Sequence, residues 1–518
     1  MIRRSIFLTI NLLLMACFAQ TAMCAFVNKP IRGQNRVGGN TAARKTPNIL
    51  FAIADDVSWP HMSAYGSRFV NTPNFDRVAR EGILFNNAFT SNPKCSPSRA
   101  TLLTGRNSWQ LEEAADHFGI FPAKYKVYPD LLEAVGYRVG FTGKGWGPGD
   151  WKGGGFKRNP VGNDYNKFKN KPPTSAMSAN DYAANFKAFL QDQPKDKPFC
   201  FWYGGQEPHR VYEEGSGLKA GKRLADVQVP PYLPDDNIVR SDLLDYALEI
   251  EWFDVHLGRM LKMLEEIGEL DNTLIIVTAD NGMPFPRVKG QIYEDDFHLP
   301  LAMRWGNVIK AGRVVDDFIS FTDFASTFLE VAGLKPVPDM TGRSFLDVLK
   351  SRKSGQVDLK RNRMFIGKER HDVGRPNDVG YPVRAIRTKE FLYVRNFKPD
   401  RWPAGNPETG YRNIDDSPTK RLLLKQKDAG QSKFYDLAMG MHPAEELYDL
   451  RHDSACMHNL ASKPSYAKIK AQLWTELQKT LRAQRDPRIL GNGDIFDTYK
   501  YLGNRDHAWD TMMEKKKN

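Results

Sequence analysis

At 518 residues the chain exceeds what a single hydrophobic core usually fills, about 250–300 residues, so a second domain is expected. Hydrophobic residues at 41% exclude a disordered chain, and their mix with 26% charged residues excludes a membrane-embedded one. Seventy-four basic against 61 acidic residues give a net charge of +13. That balance suits a polyanionic partner (nucleic acid, anionic lipid, or a sulfated or uronate-bearing polysaccharide), or reflects only a solvated basic surface.

Arg3 and Arg4 precede an apolar run over 6–18 and then the small residues Ala19, Ala22 and Ala25. This order predicts a secretory signal peptide over 1–25, and the run is too short to span a bilayer. A lipoprotein-type processing site at Cys17 is the alternative; either way the mature protein is expected to be secreted or periplasmic. Cys17 and Cys24 belong to this region, so only Cys95, Cys200 and Cys456 remain in the mature chain. An odd, sparse set argues against a disulfide framework and leaves a free thiol to explain. Cys200, in an apolar run, reads as core.

Residues 48–54 are continuously apolar, as in a strand buried on both faces, and end in Asp55-Asp56. Thr72, Pro73 and Gly82 bracket a short helix, and 83–89 reads as a strand leading to Cys95. A helix over 129–135 and a strand over 138–142 follow, the latter ending in Gly143-Lys144-Gly145-Trp146-Gly147. The pattern then predicts a helix over 178–193, a strand over 199–203 before Glu207-Pro208-His209-Arg210, and a long helix over 241–268. A further buried strand, 273–279, ends in Asp280-Asn281-Gly282. Short strands over 299–304 and 314–320 and a helix over 324–332 close this half. Strands alternating with helices indicate an α/β fold with a mostly parallel sheet. Beyond a polar stretch at 351–363, short antiparallel strands are predicted over 364–367, 383–387, 391–396 and 446–450, with a closing helix over 465–482. The expected domains are an α/β catalytic domain, 45–350, an α+β subdomain, 351–490, and a surface tail, 491–518.

Three stretches carry chemistry. Cys95-Ser96-Pro97-Ser98-Arg99 places a thiol at a helix start, where proline is pre-set and free backbone N–H groups suit an oxyanion. Arg99, four residues on, shares the thiol's helix face. On its own the segment fits a buried structural cysteine equally well. Asp55-Asp56 and Asp280-Asn281 put oxygen donors at two strand ends, where open α/β sheets bind ligands. Oxygen donors without a His or Cys cluster suit a hard cation such as Ca²⁺ or Mg²⁺, although each pair alone also fits a cap or turn.

Cys-x-Pro-x-Arg followed by Ala-Thr-Leu-Leu-Thr-Gly-Arg resembles the signature of the formylglycine-dependent (type I) sulfatases. Glu-Pro-His-Arg, Asp-Asn-Gly-Met-Pro-Phe-Pro, Gly367-Lys368-Glu369-Arg370-His371 and Glu446-Leu447-Tyr448-Asp449-Leu450 are most similar to the heparan N-sulfatase-like branch. The likeness covers about residues 48–460. It implies an alkaline-phosphatase/sulfatase-like α/β fold, with helices flanking the sheet and a smaller C-terminal domain on a short antiparallel sheet. It also implies that a maturation enzyme oxidises Cys95 to formylglycine (3-oxoalanine). One hydroxyl of the hydrated aldehyde attacks sulfur and the alcohol or amine leaves; the second is then deprotonated, sulfate is expelled and the aldehyde re-forms. By the same resemblance Asp55, Asp56, Asp280 and Asn281 hold Ca²⁺ with the matured Cys95 facing it, and Arg99, Lys144, His209 and Lys289 act on the sulfate. Trp146 stands where many members carry the histidine of Gly-Lys-x-His, so protonation of the leaving group is expected to fall to His209. Trp146 and, from the second domain, Glu369, Arg370 and His371 are candidate substrate contacts.

The expected substrate is therefore a sulfate ester or N-sulfate on a heparan-type or algal saccharide such as ulvan or carrageenan, not a nucleic acid. A phosphatase or phosphonate hydrolase of the same superfamily is one alternative. A non-catalytic carbohydrate-binding homologue is another.

Overall fold

The computed structural model describes residues 46–517 except 193, 195 and 503–506. The signal-peptide and Cys17 expectations fall outside the described residues. Strand β1 (Asn48–Ala54) is buried along its whole length. Ile49, Phe51 and Ile53 enter one apolar core, and Leu50, Ala52 and Ala54 the other. A strand covered in this way belongs at the centre of a sheet with helices on both faces.

The sheet is completed by β2 (Ile83–Phe89), β3 (Arg138–Gly143), β4 (Asn163–Asp164), β5 (Phe199–Gly204), β6 (Thr273–Ala279), β7 (His298–Arg304), β8 (Arg313–Val315) and β9 (Ile319–Ser320). Its order is β4-β3-β5-β1-β6-β7-β2-β8, with β9 paired to β2. β1 runs parallel to β5 and β6, and Phe51 lies opposite both Trp202 and Ile276. β7 alone opposes its neighbours β6 and β2. Helices Cys95–Thr104 and Thr322–Val331 pack into the Phe51 core; Pro73–Arg80, Tyr182–Gln191 and Asn237–Glu266 pack into the Leu50 core.

Two differences from the pattern have local causes. The long helix begins at Asn237, not 241, because the Asp236 carboxylate accepts from the Ile238 N–H (2.8 Å) and caps it. The strand expected over 314–320 is split into β8 and β9, since Asp317 between them turns to accept from Val357 N and Asp358 N, both at 2.6 Å.

β10 (Arg363–Lys368), β11 (Val383–Thr388), β12 (Phe391–Asn396) and β13 (Glu445–Asp449) form a second sheet, antiparallel throughout and in chain order. Ile366, Val383 and Leu392 share a core with Phe89 and Phe297 of the first sheet's neighbourhood, so the two sheets pack together. The 491–518 segment is not simply the surface tail expected of it. Phe496 and Tyr501 are buried, and the Tyr501 hydroxyl donates to the His371 carbonyl (2.9 Å). Farther on, Asp378 accepts from Ala508 N and Trp509 N. Among the described residues no helix is long and apolar enough to cross a membrane.

Candidate active site

Parallel strands deliver the predicted residues to one edge of the large sheet. Asp55 follows β1, Asp280 follows β6, Lys144 follows β3, and His209 lies five residues after β5. This is the carboxyl-end crevice where open α/β sheets place ligands. The glycine at 143 is required by the crowding there: its φ is +78°, and a Cβ would meet the Gly204 carbonyl at 1.9 Å. The glycines beside Lys144 make room for neighbouring protein groups, the Gly204 carbonyl at Gly143 and the Asn159 amide at Gly145.

Helix Cys95–Thr104 is buried at all ten positions, which fixes Cys95 at its first turn. Cys95 Sγ lies 3.5 Å from Asp55 Oδ1. Arg99 Nε donates to Asp280 Oδ2 (2.8 Å), and its Nη1 donates to the carbonyls of Lys144 (2.9 Å) and Gly145 (3.0 Å). The remaining nitrogen, Nη2, is buried without a hydrogen-bond partner, 3.8 Å from Asp55 Oδ1. Lys144 Nζ reaches Asp55 Oδ2 (2.5 Å), and Lys289 Nζ reaches Asp56 Oδ2 (2.7 Å). Asn281 Nδ2 donates to Asp56 Oδ1 (2.7 Å), and the Asp56 N–H to Asp280 Oδ1 (3.1 Å). Asp56 takes a φ of +78°, a strained value for a residue with a Cβ and a mark of functional sites.

The charges interlock. Burial alone would raise Asp55, but Lys144, His209 and Arg99 hold its carboxyl below the usual range. Burial and the neighbouring Asp55 raise Asp280. Burial drives the Cys95 thiol far up despite Lys144, so the unmodified side chain is a neutral thiol and not a thiolate nucleophile. A ring nitrogen of His209, Cys95 Sγ and an Asp55 oxygen lie within 4.8 Å of one another. His209 Nδ1 is 2.6 Å from the Arg210 carbonyl; this assigns the proton to Nδ1 and leaves Nε2 for chemistry.

The residues fit a hard divalent cation. Carboxylate oxygens of Asp55, Asp56 and Asp280 lie within 4.8 Å of one another, and Asn281 Oδ1 is buried with no hydrogen-bond partner. An orphaned amide oxygen beside three carboxylates is a donor set for Ca²⁺ or Mg²⁺. Above it opens a cavity of ≈ 830 Å³, bordered by Asp55, Lys144, His209 and Lys289. The sequence reading missed Lys94, His117, Asp372 and Asp415 on the same wall. Lys289 pairs with Asp415 (3.1 Å) as well as Asp56, and these cations keep Asp415 ionised against its burial. Asp415 comes from a segment with no strand or helix of its own, so periodicity gives it no signal. Lys94 and Asp372 each adjoin a recognised motif.

Residues 47–334 match the Sulfatase family model, more than half of the chain. The chain belongs to the sulfatase family. Residues 288–403 match the model described as N-sulphoglucosamine sulphohydrolase, C-terminal. An ulvan-active sulfatase of Formosa agariphila is 30% identical over 86% of this chain and 82% of its own length. Human N-sulphoglucosamine sulphohydrolase is 29% identical over 87% of this chain and 93% of its own. A structure solved with its substrate D-glucosamine-2-N,6-O-disulfate shares the fold, with a TM-score of 0.61 at 23% identity over 85% of this chain and 99% of that one. Sulfuric ester hydrolysis is thus the chemistry of this family member.

Four residues suggested as substrate contacts lie elsewhere in this sulfatase. Trp146 turns into the core, its ring 4.9 Å from that of Phe121 and its Nε1 donating to the Ser96 carbonyl (3.0 Å). Trp146→Phe is therefore expected to cost about 1 kcal/mol of stability for the lost hydrogen bond while leaving KM unchanged, measured by urea unfolding beside steady-state kinetics. Glu369 is enclosed by Arg384 (2.7 Å) and Arg488 (2.8 Å). Arg370 donates to the Tyr499 carbonyl (2.6 Å) and stacks on Tyr501. His371 Nε2 is 2.7 Å from Asn92 Oδ1, and neither residue borders the cavity. The next residue, Asp372, is the one that borders the cavity.

Proposed function

We propose that this protein is an exported sulfatase that removes sulfate from a saccharide of the ulvan or heparan type, using formylglycine made from Cys95 and a bound Ca²⁺. The observation that carries this reading is the meeting of Cys95, the Asp55–Asp56–Asp280–Asn281 donor set and the cations Arg99, Lys144 and Lys289 beneath one cavity. Asp55, Asp56, Asp280 and Asn281 would hold the cation. When present, the ion and the hydrated aldehyde supply charge neutralisation and a nucleophilic hydroxyl.

The chain's own residues do the rest. Asp55, Asp56 and Asp280 are offset by Arg99, Lys144 and Lys289, so a divalent cation leaves the site net positive and suited to a monoanionic sulfate ester. Lys144 and Lys289, held on carboxylates at 2.5 and 2.7 Å, are preorganised donors for charge developing on sulfate oxygens. Arg99, fixed by Asp280 and two carbonyls, orients the side chain at 95 with its one unpartnered nitrogen. With Nδ1–H held on the Arg210 carbonyl, His209 would act on the leaving oxygen or nitrogen through Nε2, giving up the proton that the imidazolium form carries there.

The test is sulfate release from ulvan oligosaccharides, D-glucosamine-N-sulfate and N-acetylglucosamine-6-sulfate by protein produced with a maturation enzyme. Release is expected from at least one of them. EGTA is expected to remove activity and Ca²⁺ to restore it. Activity restored by Zn²⁺ and not by Ca²⁺, with phosphate esters turned over instead, would replace this reading with the phosphatase one.

A further inference from the structure

We propose that Lys94, His117 and Asp372 form a subsite that grips uncharged hydroxyl groups of the saccharide carrying the sulfate. The proposal rests on the sulfatase reading above and assigns these residues to substrate recognition. His117 borders the cavity, is 5% exposed, and neither of its ring nitrogens has a hydrogen-bond partner. A buried polar atom left unpaired costs about 1–3 kcal/mol, so an imidazole orphaned at both nitrogens beside a cavity points to a ligand that pairs with it.

The ring is held in place from behind. The His117 N–H donates to the Arg370 carbonyl (3.0 Å), its own carbonyl accepts from Ser96 Oγ (2.5 Å), and its ring packs 4.5 Å from that of Phe118. Ser96 follows Cys95 on the same helix turn, so the position of His117 is tied to that of the reacting side chain. Lys94, which precedes Cys95, is 1% exposed, and its Nζ lies 3.2 Å from Asp372 Oδ2. The same Asp372 oxygen is 3.7 Å from His117 Nδ1, beyond hydrogen-bond reach.

The chemistry of this wall is amphoteric. An ammonium donates only, a carboxylate accepts only, and a neutral imidazole does one at each nitrogen. A sugar hydroxyl both donates and accepts, so neighbouring hydroxyls match this set. A second anionic group on the sugar would meet the Asp372 carboxylate here. Burial pushes the His117 imidazole down to about 3, with Lys94 and Lys289 opposing its charge and Asp372 favouring it, so the ring is uncharged near neutrality. The cations that face the sulfate, Lys144 and Lys289, are engaged with Asp55, Asp56 and Asp415 and form a separate group.

The test uses whichever of ulvan oligosaccharide, D-glucosamine-N-sulfate or N-acetylglucosamine-6-sulfate the wild type turns over fastest. Inorganic sulfate serves as an inhibitor that lacks the sugar. His117→Ala and Asp372→Asn are each expected to raise KM about tenfold, the equivalent of one lost hydrogen bond. The inhibition constant for inorganic sulfate should stay within about twofold of wild type, since the sugar-free anion does not use the subsite. His117→Gln, which keeps a donor and an acceptor, should recover part of the KM. An unchanged KM in His117→Ala would overturn the proposal, because water would then satisfy the ring. A parallel weakening of sulfate inhibition would also overturn it, by showing a general disturbance of the site. A wild type that releases sulfate from no saccharide is a different result, which removes the sulfatase reading itself.

Discussion

Replacing Cys95 with alanine is expected to abolish sulfate release, a loss on the order of 10⁴-fold or more, as when the nucleophile of a covalent mechanism is removed. The fold should survive. The side chain is a single buried sulfur whose one close polar contact is Asp55 at 3.5 Å, so its loss leaves a small void and no unpaired strong donor. Thermal unfolding of the variant should therefore track the wild type. Peptide mass spectrometry of the parent should show residue 95 as the aldehyde or its hydrate. Turnover retained in Cys95→Ala would move the chemistry to another residue. Turnover retained in the parent with an unmodified thiol would remove the formylglycine step while leaving Cys95 in place.

The strands were legible because burial on both faces writes itself as uninterrupted apolar sequence: 48–54, 199–203 and 273–279 all appear as strands of the large sheet. The acidic ends of two of them were legible for the same reason, since Asp55 and Asp280 interrupt runs that are otherwise apolar. The sequence reading failed where a side chain's direction depends on distant partners. Glu369, Arg370, His371 and Asp372 are four polar residues in a row, and nothing local says that only the last borders the cavity. That choice is made by Arg384, Arg488, Tyr501 and Asn92, which draw the first three away from the cavity. Trp146 is a similar case: its indole finds the Ser96 carbonyl and the Phe121 ring, neither of which is near it in sequence. His117 carried no signal, because it stands outside every motif and meets Ser96 and Asp372 only once the chain has folded.

Glu369→Ala separates a structural role from a substrate contact most sharply. The carboxylate is buried between Arg384 and Arg488, and Arg384 also makes a paired contact with Asp486 at 2.7 and 2.9 Å. Removing Glu369 takes the shared anion from two guanidinium groups; both stay buried with less compensation, Arg384 on Asp486 and Arg488 on Asp494. Breaking a buried ion pair in this way is expected to destabilise the protein by about 3–5 kcal/mol, measured as a lower urea midpoint with an unchanged slope. Glu369→Gln should cost less, because the amide oxygen still accepts from one arginine. For the folded fraction of either variant, KM for the sulfated saccharide should equal that of the wild type. The reverse pattern, a raised KM with an unmoved midpoint, would return Glu369 to the sugar. Both oxygens of its carboxylate already face Arg384 or Arg488, and the residue does not border the cavity, so it is not presented to a sugar hydroxyl.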